Sequence, residues 1–347
     1  MIRRHFTLFF PAFVLYAVVS CGDGPATAGG KAATDTADQK VVTRIERIDP
    51  AINAIISEAT GTETIAEGFV WSEGPLWVEK EQMLLFSDVP NNIIYKWTAA
   101  GGKTTYLQPS GYTGAASRGG ETGSNGLFLN NKGQLVLCQH GDRRLALMNA
   151  PLNDPRPEFI TIADNYRGKR FDSPNDGIAL RNGDYYFTDP PYGLEGFVSD
   201  SSKAAPYQGV YKVSAGKVTL LTDSITRPNG IAAFPDERSI IVANSDGNKA
   251  AWYQYDLDEK NGFTNARIFY DATEDAKKEK GSPDGLKIDR QGNVFATGPG
   301  GIWIFDKQAK VLGKIKINQP ASNCALGDGD KTLYVTAGAY ILKVKLR

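Results

Sequence analysis

Short apolar runs, not long amphipathic stripes, set the pattern of this chain from Glu63 onward. Runs rich in aliphatic and aromatic side chains recur at residues 84–87, 134–138, 185–188, 239–243, 293–297 and 332–336. Most follow a turn such as 131–133, 182–183 or 290–292, and a third run comes after, as at 93–97, 210–213 and 302–305. A fourth often closes the unit, as at 104–107, 218–221 and 311–315. Such runs bounded by Gly, Asn and Asp predict strands. A four-stranded unit repeated six times predicts an all-β fold, a six-bladed β-propeller. The sixth unit shows three strands before Arg347, and residues 63–69 are expected to supply its outer strand and close the ring. The even spacing and the unpaired N-terminal strand disfavour a jelly roll or sandwich.

The pattern ahead of residue 63 is different. Arg3 and Arg4 precede an apolar run over residues 6–19, too short for a comfortable membrane span, and then Ser20-Cys21. Residues 1–20 therefore read as a lipoprotein-type signal peptide, with Cys21 as the lipidated residue; a plain secretory signal is the alternative. Either reading predicts export, to the periplasm or cell envelope, with membrane attachment only through Cys21. Residues 21–41 are poor in bulky apolar side chains and read as a flexible tether. Residues 42–62 form an N-terminal extension, with apolar spacing in 42–58 that fits a short helix after Pro50 on the outside of the main body. The propeller is assigned to 63–347.

Five acid- or amide-glycine phrases fall at matched places in the repeat: Glu73-Gly74, Asn125-Gly126, Asn175-Asp176-Gly177, Asn229-Gly230 and Asp284-Gly285, with Ser322-Asn323-Cys324 as a degenerate sixth. The steps between them are 52, 50, 54, 55 and 39 residues, which suits radial stacking. Each phrase precedes a strand that lines the channel of a propeller, where glycine lets backbones approach closely. Glu73, Asn125, Asn175, Asn229, Asp284 and Asn323 then occupy one ring. Two carboxylates with amide oxygens, and no sulfur or nitrogen ligand, suit Ca²⁺; Mg²⁺ prefers a tighter octahedron. The competing reading is that each phrase marks a turn with φ > 0.

Composition narrows the chemistry. Two histidines, His5 and His140, leave one after removal of the leader, which argues against a multi-imidazole zinc site. His140 is thus the one imidazole available as a base, with a structural hydrogen bond between loops as its alternative. The 39 basic and 39 acidic residues balance, and no basic stripe points to nucleic acid. Cys138 and Cys324 lie inside strand-like runs and read as buried free thiols rather than a bridge. Glu121, ahead of Asn125, is a candidate contact for substrate hydroxyls. Arg143 and Arg144 read as a solvated pair, with carboxylate binding as the alternative. Asp189 and Tyr192 belong to a Pro-Pro turn that shapes either a rigid loop or the channel mouth. Asp176 reads as a support for Asn175, and Trp71 and Trp77 as core.

At this point the chain resembles the senescence marker protein, gluconolactonase and luciferin-regenerating enzyme family, in its bacterial gluconolactonase branch. The matching stretches are 71–75 (WSEGP), 123–127 (GSNGL), 138–144 (CQHGDRR), 168–176 (GKRFDSPND), 187–194 (FTDPPYGL), 227–230 (RPNG) and 282–285 (SPDG). The resemblance implies one divalent ion deep in the channel, usually Ca²⁺ (with Mg²⁺, Mn²⁺ or another divalent ion as alternatives). Its implied ligands are Glu73, Asn175, Asn229 and Asp284. It also implies that Asp284 is the catalytic base, with His140 the alternative. Asn125, Asn175, Glu121 and Tyr192 are the expected substrate contacts. Animal members carry an arginine where this chain has Ser173, which changes how a sugar would be held. The implied reaction is metal-dependent hydrolysis of a sugar lactone by a monomer or weak dimer. A non-catalytic binding propeller with a structural ion, and a hydrolase of another ester, are the alternatives.

Overall fold

In the computed structural model, described here for residues 41–347, six antiparallel sheets surround a common axis. The signal-peptide and tether assignments lie outside the described residues, apart from residue 41. The inner strands of the six blades are Ser72–Val78, Ser124–Leu129, Gly177–Ala179, Pro228–Ala233, Leu286–Ile288 and Ala321–Gly327. The predicted second strands are present as Met83–Asp88, Leu135–Gln139, Tyr185–Asp189, Ser239–Asn244, Val294–Gly298 and Thr332–Ala337. Alternation along them buries one face against each neighbouring blade. Phe295, Ile302, Cys324 and Leu333 share one such interface, and Trp252, Trp303 and Phe305 belong to another.

The ring is closed as the sequence predicts. Thr62–Glu67 pairs antiparallel with Tyr340–Lys345, so the sixth blade takes its outer strand from the N-terminal side of the propeller. The N-terminal extension departs from expectation ahead of Pro50. Thr43–Arg47 is a strand, paired with Val311–Ile317 as a fifth strand of blade five. Helix is confined to a single 3₁₀ turn, Pro50–Ala54, capped where the Asp49 carboxylate accepts from the Ala51 N–H. The β-branched residues at 41–45 favour a sheet edge, while Pro50 at the first helical position starts a turn that does not propagate. Ile52 and Ile56, fully buried, hold the extension to blades five and six.

At the hub, hydrogen bonds run from blade to blade. The Ser87 hydroxyl donates to Asn125 O (2.9 Å), Gly126 N–H to Asn175 O (2.7 Å), and the Thr188 hydroxyl to Asn229 O (2.7 Å). The Ser245 hydroxyl donates to Pro283 O (2.6 Å), Gly285 N–H to Ser322 O (2.8 Å), and the Ser322 hydroxyl to Ser72 O (2.7 Å), returning to blade one. This closeness explains the glycines. A Cβ on Gly74, Gly126 or Gly230 would lie 2.0, 2.6 or 2.2 Å from the next blade's carbonyl oxygen. Of the five hub glycines only Gly74 has positive φ, so close approach and not turn geometry requires the residue. Cys138 and Cys324 are buried free thiols, as read from the sequence.

Because Ile52 seats the extension against Gly313, where a Cβ would meet its Cδ1 at 2.3 Å, Ile52→Ala leaves a void there. The expected loss is about 2–5 kcal/mol of unfolding free energy, read from urea denaturation. A loss below about 0.5 kcal/mol would show that the extension does not contribute to the core.

Candidate active site

Each site residue stands at a bulge. The inner strand gains one residue on its partner between Glu73 and Leu76, Ser124 and Leu127, and Pro228 and Ile231. In blade three, Asn175 and Asp176 both face Thr188, and in blade five Asp284 and Gly285 both face Thr297. A bulge leaves one residue outside the ladder and re-aims its side chain. The re-aimed side chains are Glu73, Asn125, Asn175, Asn229 and Asp284, and all five line one cavity of about 260 Å³. Trp71, Glu121, Tyr192, Ser245, Ser282 and Ala321 complete most of its wall.

The donor and acceptor balance of this cavity is lopsided. Oδ1 of Asn125, Asn175, Asn229 and Asp284 are all buried without a hydrogen-bond partner. At Asn229 the orientation is fixed: its Nδ2 donates to Ser245 Oγ (2.9 Å), which leaves the carbonyl oxygen for the cavity. One Glu73 carboxylate oxygen accepts from Gly74 N–H (3.1 Å). Burial, then repulsion from Glu121 and Asp176, pushes the Glu73 carboxyl up to about 8. Burial, followed by the charges of Glu73, Asp176 and Glu121, drives Asp284 well above the ordinary carboxylate range. Four buried acceptors without donors, one of them acidic, beside the second buried carboxyl group of Glu73 fit a hard divalent cation with oxygen ligands. Among the described residues no three His, Cys, Asp or Glu side chains cluster for a metal, so amide oxygens must complete the set.

The other sequence assignments fall unevenly. Tyr192 and Glu121 line the cavity; the Tyr192 phenol faces Ser245 and is pushed up by burial and by Asp284. His140 does not line it: the ring is fully buried, with Nδ1 2.9 Å from Glu121 Oε2 and Nε2 without a partner. Asn323 is not a ring member. Its Oδ1 accepts from Cys324 N–H and its Nδ2 donates to Asp176, while Ser322 occupies the repeat position. Asp176 turns away from Asn175 toward Asn323 and Lys287, whose ammonium is 3.9 Å from its carboxylate. Trp71 is wall, not core, whereas Trp77 stacks on Tyr334 at 5.1 Å. Arg143 is buried and bonds Phe171 O and Ser202, and Arg144 bonds Gln139 and Asp142, so neither is a solvated pair nor a cavity residue. Asp189 is a rigid support: its carboxylate accepts from Asp172 and Ser173 N–H. Ser173 donates to Pro190 O and accepts from Gly193 N–H, clamping the loop that carries Tyr192.

A second repeat went unread in the sequence. The residue closing the second strand captures backbone N–H groups just ahead of the site residue. Asp88 accepts from Val70 and Trp71, Asp189 from Asp172 and Ser173, and Asn244 from Arg227. These acids and amides lie 14 or 15 residues after the ring positions, a spacing visible in the chain. Ser245, immediately after Asn244, was missed for the same reason.

With the geometry in place, comparison with known proteins is informative. Residues 71–339 match the family described as SMP-30/Gluconolactonase/LRE-like region. A gluconolactonase of Zymomonas mobilis is 37% identical over 332 residues, spanning 92% of this chain and 91% of its own. A gluconolactonase structure from Xanthomonas campestris superposes with a TM-score of 0.73 at 25% identity, covering 88% of this chain and 95% of that one. A calcium-binding regucalcin from Agrobacterium tumefaciens, at 17% identity with a TM-score of 0.62 and 83% and 95% coverage, shares the fold.

The raised carboxyls give the metal-free protein a definite pH response. Between the ordinary 4.5 of a glutamate and about 8 for Glu73, the folded chain holds protons that the unfolded chain has lost. Stability then falls as pH rises through that window. The thermal midpoint of chelator-treated protein is expected to drop from pH 5 toward pH 8, and Ca²⁺ to raise it most at the alkaline end. A midpoint that climbs with pH in the absence of metal would contradict the burial of these groups.

Proposed function

The chain belongs to the SMP-30/gluconolactonase/LRE-like family, and from that premise we propose that it is a lactone hydrolase that opens a gluconolactone-like sugar lactone with the aid of a divalent cation. The observation that carries the reading is the set of partnerless oxygens from Asn125, Asn175, Asn229 and Asp284 beside Glu73, in a cavity of monosaccharide scale. Glu73, Asn175, Asn229 and Asp284 are the ligands we assign, and Ca²⁺ is the ion the oxygen-only donors favour. When bound, such an ion polarises an ester carbonyl and acidifies water.

The remaining wall residues orient the substrate. Asn125 and the Tyr192 hydroxyl are placed to hydrogen-bond a polyol, and Trp71 supplies a flat apolar face for a sugar ring. Ser245 links Asn229, Pro283 and Tyr192, so substrate contact and ligand orientation depend on one hydroxyl. With Ser173 committed to the loop backbone, no arginine reaches in from that position, and neutral donors are left to select the sugar. We further propose export as a lipoprotein attached through Cys21, which would put the cavity outside the cytoplasm.

Hydrolysis of δ-gluconolactone, followed by release of acid, is expected to stop with EDTA and return with Ca²⁺. Asp284→Ala should lower kcat/KM by about 10²–10³-fold or more while the far-ultraviolet circular dichroism of the propeller is retained. Full activity in EDTA or in the folded variant would leave the ion a structural part and favour a binding propeller.

A further inference from the structure

Three carboxylates line the cavity among the described residues: Glu73, Asp284 and Glu121. Two of these are assigned to the cation, whose charge makes a bound carboxylate a poor proton acceptor. Glu121 differs in place and in support. It rides on the segment that leads from the first blade to the inner strand of the second, and its side chain is 30% exposed. Behind it, and shielded from the cavity, sits the imidazole of His140 with Nδ1 at 2.9 Å from Oε2.

We propose that Glu121 takes the proton from the attacking water and that His140 is the residue that positions it. The segment carrying Glu121 is fastened on several sides. Arg118 donates to Gly141 O and to Gly193 O (2.6 Å), so a residue three places before Glu121 is strapped to the neighbours of His140. Thr113 bonds Asp142 through both its N–H (3.1 Å) and its hydroxyl (2.6 Å), and His140 N–H donates to Gly123 O (3.1 Å). The backbone packs closely around His140. A Cβ on Gly193 would lie 2.8 Å from His140 Cβ, and one on Gly141 would lie 2.2 Å from Thr122 O. The imidazole is fully buried, and its contact with Oε2 holds the Glu121 carboxylate at the cavity wall. His140 Nε2 is buried without a partner and the ring does not line the cavity, which separates the two roles.

The chemistry balances with these groups alone and rests on the hydrolase reading above. The water oxygen bonds to the lactone carbonyl carbon while one of its protons passes to Glu121. The acyl–oxygen bond of the ring then breaks, and the ring oxygen takes that proton from Glu121. One lactone and one water become one hydroxy acid, and the carboxylate is restored.

The test uses full-length protein with δ-gluconolactone and CaCl₂, and calcium calorimetry without substrate. Glu121→Gln is expected to lower kcat by about 10²–10⁴-fold with KM within about threefold. Its calcium affinity should stay within about tenfold of wild type, the modest effect of removing one nearby charge that is not a ligand. Formate should restore turnover to Glu121→Ala, where a small carboxylate can enter the vacated wall, and not to Asp284→Ala. His140→Asn keeps a donor toward Glu121 and should retain most of kcat, whereas His140→Ala should lose about tenfold or more in kcat at constant KM. A Glu121→Gln variant with wild-type kcat overturns the assignment, as does a His140→Ala defect confined to the thermal midpoint. A wild type that binds calcium but opens no lactone overturns the hydrolase reading and this pair with it; an active wild type with an active Glu121→Gln overturns the pair alone.

Discussion

Four buried side-chain oxygens converge at the hub of this propeller without a hydrogen-bond partner, and that imbalance shapes what surrounds it. A buried acceptor left unpaired costs about 1–3 kcal/mol, and a buried carboxylate without a counter-charge costs more. Four such oxygens and a second carboxyl group in one cavity form an arrangement that a protein core does not tolerate without a partner. The hard cation we propose would resolve it, converting mutual repulsion into shared coordination. A cation held there as we propose would lie where an ester carbonyl can enter, because Trp71, Tyr192 and Glu121 also line the cavity.

Six short backbones must meet closely for these side chains to converge. The blade-to-blade hydrogen bonds and the glycines at Gly74, Gly126, Gly230 and Gly285 supply that closeness, and the bulge in each inner strand turns one side chain out of the ladder toward the axis. The acids and amides that close the second strands then pin the incoming backbone. Asp88, Asp189 and Asn244 do this in three blades with the same kind of hydrogen bond. The ring side chains therefore stand on or just ahead of the hydrogen-bonded inner strands, while Trp71, Glu121 and Tyr192, which also line the cavity, stand on loops.

Much of this was legible in the chain because it repeats. The strand runs, the closing N-terminal strand at Thr62–Glu67, the two buried thiols and the five ring residues that share the cavity follow from spacing and residue type, whereas the choice of ligands among them rests on the family resemblance. Where the repeat degenerates, reading by position slips. In blade six the glycine is lost, so counting from the acid- or amide-glycine phrase picks Asn323, one residue beyond the true equivalent Ser322. In residues 42–62 the short helix at Pro50 was legible, and the strand Thr43–Arg47 ahead of it was not, because its pairing partner, Val311–Ile317, lies more than 260 residues away. The positions of Trp71, Ser245 and His140 depend on which way a loop side chain turns, and hydropathy carries no record of that. His140 illustrates the point: its type suggested a base, and the packing of Gly193 and Glu121 around it is what favours the positioning role we propose.

The central claim is that these oxygens hold one ion, and diffraction from calcium-soaked crystals, with anomalous differences collected to locate Ca²⁺, tests it most directly. One strong peak is predicted in the hub cavity, at about 2.3–2.6 Å from oxygens of Glu73, Asn175, Asn229 and Asp284. A hub without a peak at saturating calcium, or a peak held by other residues while these oxygens stay apart, would contradict it.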